Sequence, residues 1–188
     1  MSKGIGIVVV CEDQEQQSLL LRYMETCRIN TSRDVRLTYV PARIEGGKSK
    51  DAGTKRVKEM FVKELQACRA RQAKAKTLLI TMIDADREKW NYDTRKSELE
   101  ATLGDDAPLK IDDPYVLFVP KRHVETWIRA ALGSSVNEID DYKKPMPTKE
   151  EIKKAANNIY LWAHDNSTLN PSLIPSLKNS LPDWKKVG

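Results

Sequence analysis

Apolar and polar positions along this chain follow two periods in turn. Ile5–Cys11 is an unbroken apolar run rich in Val and Ile, the pattern of a strand buried on both faces. From Gln14 to Cys27 the period lengthens, and Leu19, Leu20, Tyr23, Met24 and Cys27 recur at helical spacing. Val35–Val40 alternates and stops at Pro41, which predicts a second strand. After a loop with Gly46, Gly47 and Gly53, the residues Val57, Met60, Phe61, Leu65 and Cys68 form one stripe of a long helix from about Thr54 to Lys74. Thr77–Ile83 is a third apolar run. A helix is predicted from Trp90 to Leu103, then a loop over Gly104–Pro108. Tyr115–Val119 is a fourth strand stopped by Pro120, and a helix from Val124 to Leu132 ends at Gly133.

Strands that alternate with helices imply an α/β domain: a parallel sheet of about four strands with helices on both faces, spanning residues 1–139. Residues 140–188 differ. A polar linker with Pro145 and Pro147 leads to a helix over Lys149–His164, and Pro171–Trp184 reads as short and broken by prolines. This tail is expected to be a helical extension packed on the same domain.

Composition narrows the class without choosing a function. The 188 residues are 40% hydrophobic and 31% charged, as in a globular protein with a sizeable core. The formal charge of +5 is compatible with an anionic partner but does not require one. Cys11, Cys27 and Cys68 are widely spaced, which excludes a CxxC zinc knuckle and fits a reducing cytoplasm. No signal-peptide pattern opens the chain, and no apolar run approaches the roughly 20 residues of a membrane helix.

In parallel sheets, sites form beyond the carboxyl ends of the strands. Two apolar runs end in acids there: Glu12 after the first, Asp84 and Asp86 after the third. Side chains at i and i+2 of an extended chain share one side, so Asp84 and Asp86 would present their carboxylates together. Such hard oxygen donors suit Mg²⁺ or Mn²⁺. With Glu12 as a further ligand or a general base, the set points to in-line chemistry at a phosphodiester. Strand-end acids also cap helices, and Asp13 is placed to cap one starting near Gln14.

After the fourth strand comes Val119-Pro120-Lys121-Arg122-His123-Val124-Glu125-Thr126-Trp127. Lys121 or Arg122 could stabilise phosphoryl charge, and Glu125 could add a ligand or orient one. Glu125 also suits a helix N-terminus, and His123 reads slightly better as part of the helix start than as a site residue. Between Lys48 and Lys76 there are ten Lys or Arg against three acids. Lys48, Lys50, Lys55 and Arg56, with Arg122, are candidates for contact with a nucleic-acid backbone; a solvated helix face explains the same charges. Ala42–Ser49 nearly spells a P-loop, but Ala42 stands where the first glycine is needed.

A glutamate ending strand one and an Asp-x-Asp after a later strand, here Glu12 with Asp84 and Asp86, resemble the Toprim fold over roughly residues 1–133. The resemblance implies a divalent-metal-dependent nucleic-acid-cleaving protein. In the OLD-type branch a lysine after the last core strand aids cleavage, and Lys121 would match it. The family glutamate is often followed by glycine, whereas Asp13 follows here. The strings Cys11–Gln16 and Pro120–Trp127 are similar to small bacterial Toprim-like proteins, which implies an effector subunit of an anti-phage defence complex with a separate ATPase partner, possible as a homo-oligomer. The alternative is a non-catalytic module of the same fold that binds nucleic acid or an ATPase.

Overall fold

The computed structural model describes residues 6–38, 52–86, 91–104, 107–165 and 173–188. The order of elements is β1 (Gly6–Cys11), α1 (Gln14–Thr26), α2 (Thr31–Asp34), β2 (Val35–Leu37), α3 (Ala52–Gln72), β3 (Thr77–Met82), α4 (Tyr92–Leu103), β4 (Tyr115–Phe118), α5 (Val124–Ala131), α6 (Lys149–His164) and α7 (Pro175–Val187). The four strands form one all-parallel sheet in the order β2-β1-β3-β4. This is the expected α/β class, and its arrangement is consistent with a Toprim-like one. The P-loop-like string Ala42–Ser49, with Lys48 and Lys50, lies outside the described residues.

Alternation along each strand assigns the two faces. Ile7, Val9, Cys11, Ile80, Met82, Val116 and Phe118 point to one side, where α1, α5, α6 and α7 cover them. Val8, Val10, Leu79, Leu117 and Val119 point to the other, against Val57, Phe61, Leu65 and Cys68 of α3 and Leu99 and Leu103 of α4. The apolar runs lack a polar face because both faces are covered.

The tail is part of the larger of these cores. Ile152, Ala155, Ala156 and Ile159 of α6, and Leu177, Leu181, Trp184 and Val187 of α7, belong to the cluster around β1, β3 and β4. Trp184 stacks on Phe118 at 4.2 Å between ring centroids and lies 4.6 Å from Tyr23. Thr148 and Glu151 form a reciprocal capping box that starts α6. The expectation of a broken segment over 171–184 is corrected: Pro175–Val187 is one helix with Pro182 inside it. Pro175 sits in the first turn, where its missing N–H costs nothing. An interior proline costs about 3 kcal/mol. Four large apolar side chains on the buried stripe, at about 1.5–3 kcal/mol each, outweigh it.

Candidate metal centre

The site is assembled where β1, β3 and β4 end. Past Met82 the chain of β3 stays extended beside β4, with the Ile83 amide donating to the Phe118 carbonyl at 3.1 Å and the Ala85 amide to the Pro120 carbonyl at 2.8 Å. Between them the Asp84 amide points the other way and donates to Glu12 Oε2 at 2.7 Å. The other oxygen, Glu12 Oε1, accepts from the Thr54 hydroxyl of α3 at 2.5 Å. Gln16, fully buried in the first turn of α1, donates from Nε2 to Asp84 Oδ1 at 2.9 Å and accepts from the Glu12 amide at 2.8 Å. Asp13 caps α1 as expected, accepting from the Gln16 amide at 2.8 Å.

Asp84 is buried, while the Asp86 side chain is 41% exposed. Asp86 has φ 59°, so the chain turns into the left-handed region there. That corrects the picture of two carboxylates on one extended strand: the pair converges through a turn that aspartate tolerates better than most residues. Arg95 fixes the turn from α4. Its guanidinium is buried and donates to the carbonyls of Asp84 at 2.8 Å and Ala85 at 3.5 Å, and to Asp86 Oδ2 at 3.4 Å and Glu98 Oε2 at 2.9 Å. Arg122 donates to the Asp86 carbonyl at 3.0 Å from the far side.

The third wall is the segment after β4. His123 is buried at the start of α5 and its side chain makes no capping bond. Its Nδ1 lies 3.6 Å from Asp84 Oδ2 and 3.8 Å from Asp86 Oδ1. Among the described residues, Asp84, Asp86 and His123 offer ligand atoms that all fall within 4.8 Å of one another, a group that could hold a metal ion. Of the expected ligand set of Glu12, Asp84 and Asp86, all three meet in space: Glu12 accepts from the Thr54 hydroxyl and the Asp84 amide, one bond on each oxygen, and His123 joins the two aspartates in the group that could hold an ion. Glu125, in the first turn of α5, is buried, and its Oε2 has no hydrogen-bond partner.

Crowded carboxylates in a buried setting resist ionisation. Burial, then the charges of Glu12, Asp13, Asp86 and Glu125, raise the Asp84 carboxyl well above its ordinary range. Burial likewise raises Glu12 and Glu125, and pushes Asp13 up to about 6. Burial, helped by Lys143, lowers His123, which favours the neutral imidazole that a metal requires.

The proposed cations separate. Lys121 lines a neighbouring cavity of about 570 Å³ together with Tyr92, Asp93, Glu138, Ser176 and Asp183. Arg95 and Arg122 bond to the aspartate turn. Lys55 is exposed and Arg56 half-buried in the first turns of α3, beside Thr54 and so beside Glu12. Gln16 and Arg95 escape a reading by motif. Arg95 does leave a trace, a charged residue on the stripe shared with Leu99 and Leu103. No protein-family model, curated protein or solved structure matches the chain.

Proposed function

We propose that this protein is a divalent-metal-dependent enzyme of Toprim type that hydrolyses phosphodiester bonds in nucleic acid. The observation that carries the reading is the convergence of Asp84, Asp86 and His123 at the carboxyl ends of the parallel strands, braced by buried hydrogen bonds. The residues fit a dication: two carboxylates, an imidazole that burial keeps neutral, and an Asp86 side open to solvent. Bound there, Mg²⁺ or Mn²⁺ would neutralise charge on the phosphodiester oxygens and acidify a water.

The chain's own groups have separable tasks. Asp84, Asp86 and His123 would hold the ion. Glu12 and Gln16 set the position of Asp84 through its amide and Oδ1. Arg95 and Arg122 hold the turn that presents Asp86. Glu125, with an unpaired buried oxygen and a carboxyl that burial raises above its ordinary range, is suited to exchange a proton at the site. Lys55 and Arg56 would meet the phosphate backbone.

The test is cleavage of plasmid, single-stranded DNA and tRNA with Mn²⁺, with Mg²⁺ and with chelator. Divalent-dependent cleavage that is abolished in Asp84→Asn, with the circular dichroism spectrum unchanged, supports the reading. Cleavage in chelator, or at the wild-type rate in Asp84→Asn, refutes it. A second reading, a non-catalytic nucleic-acid-binding module, draws on Glu12, each of whose oxygens accepts a bond that braces the fold. It requires undiminished nucleic-acid binding in Asp84→Asn and no cleavage by the wild type.

A further inference from the structure

We propose that His123 is a metal ligand through Nδ1, that Asp141 orients the ring from its other side, and that the site consequently takes a first-row transition dication such as Mn²⁺ in preference to Mg²⁺. This rests on the reading of Asp84, Asp86 and His123 as a divalent-ion centre, and adds the ligand that selects the ion.

The His123 side chain is 8% exposed, and its Nδ1 is a buried polar atom with no hydrogen-bond partner. Leaving such an atom unpaired costs about 1–3 kcal/mol, so native proteins rarely do so without a use for it. The nitrogen faces Asp84 Oδ2 at 3.6 Å and Asp86 Oδ1 at 3.8 Å. Those distances are too long for hydrogen bonds. They are close to what three donors around one ion need, since bonds of about 2.0–2.2 Å leave neighbouring ligand atoms roughly 3–3.5 Å apart.

The other ring nitrogen supports the same assignment. His123 Nε2 faces Asp141 Oδ1 at 3.9 Å. With an ion seated between Nδ1, Asp84 and Asp86, the proton would sit on Nε2, where the Asp141 carboxylate is near enough to draw in and orient the N–H. Asp141 belongs to the segment between α5 and α6. Arg129 holds that segment through bonds to the Tyr142 and Pro145 carbonyls at 3.2 and 2.7 Å, and Asp141 Oδ1 also accepts from the Lys143 amide at 2.9 Å. The polar linker thus supplies the orienting group for a ligand on α5.

Selectivity follows from the donor. Mg²⁺ prefers oxygen and gives up water reluctantly, so an imidazole nitrogen contributes little to its binding. First-row transition ions accept imidazole readily and gain from it.

The full chain, stripped with EDTA and dialysed, is loaded with one equivalent of Mn²⁺ and probed by electron spin echo envelope modulation. Nitrogen-14 modulation from a directly bound imidazole is expected. It should vanish in His123→Gln and persist in His164→Gln, the chain having two histidines. Calorimetric titration should show Mn²⁺ bound more tightly than Mg²⁺ by the wild type. His123→Gln should weaken Mn²⁺ by about 10–100-fold and Mg²⁺ by less than roughly threefold, and Asp141→Asn should weaken Mn²⁺ by about tenfold. Mn²⁺ bound without nitrogen modulation, or with the affinity of Mg²⁺, overturns the proposal and leaves the divalent centre standing. Absence of Mn²⁺ binding, or binding unchanged in Asp84→Asn, overturns both. Should His123→Gln fail to fold, the wild-type spectrum and the Asp141→Asn titration still separate these outcomes.

Discussion

On the proposed reading Asp84 keeps a buried charge for an ion, and replacing it should therefore stabilise the ion-free protein. Its carboxylate is buried among Glu12, Asp13, Asp86 and Glu125, all of which disfavour its charge. Asp84→Asn keeps the shape. The amide oxygen can still accept from Gln16 Nε2, while the amide nitrogen replaces an acceptor with a donor on the side that faces His123 Nδ1. Relief of a buried charge and gain of a donor toward unpaired acceptors amount to about 1–3 kcal/mol. For a chain of this size each kcal/mol moves the melting temperature by about 2–4 °C, so the variant should melt about 2–12 °C above the wild type in EDTA at pH 8.

Stability should also depend on pH with a definite sign. A carboxyl whose folded pKa is raised binds its proton more tightly in the native state. Its contribution to stability is therefore largest at low pH and is lost as pH rises from the ordinary carboxylate range through the folded pKa. Asp84, Glu12 and Glu125 shift in this direction, and for Asp13 the window runs from 3.8 to about 6. The advantage of Asp84→Asn should accordingly shrink as pH falls, because the wild-type carboxyl becomes protonated. Saturating Mn²⁺ should reverse the order of the two proteins by stabilising only the wild type. A melting temperature of Asp84→Asn below the wild type in EDTA at pH 8 refutes the idea of a charge held for a ligand.

Glu12→Gln should melt within about 1 kcal/mol of the wild type, because Thr54 can turn its hydroxyl to accept from the new amide; Glu12→Ala strands the Asp84 amide and should cost about 1–3 kcal/mol in urea denaturation. Arg95→Met removes the buried guanidinium from the Asp84 and Ala85 carbonyls and from Glu98, and a loss of about 3–5 kcal/mol is expected, with Mn²⁺ binding weakened in whatever fraction folds. Trp184→Ala deletes the ring stacked on Phe118 and should cost about 3–5 kcal/mol; an unchanged denaturation midpoint would mean that the tail is an independent appendage.

The order of strands and helices was legible because both periods are local. Val8 and Val9 point to opposite faces wherever β1 happens to sit, and Leu19 and Tyr23 share a helix face without help from the rest of the chain. Strand ends, and with them Glu12, Asp84 and Asp86 as candidates, follow from the same patterns. Pro182 misled because an interior proline is a local penalty, whereas the burial of Leu177, Leu181 and Trp184 that outweighs it is a tertiary gain. Which groups meet was settled only by folding. His123 and Asp141 are ordinary in sequence, and nothing in the sequence pairs Glu12 with the Thr54 hydroxyl and the Asp84 amide. Ion binding depends on distances of a few ångströms among segments dozens of residues apart, and one-dimensional patterns carry no such distances.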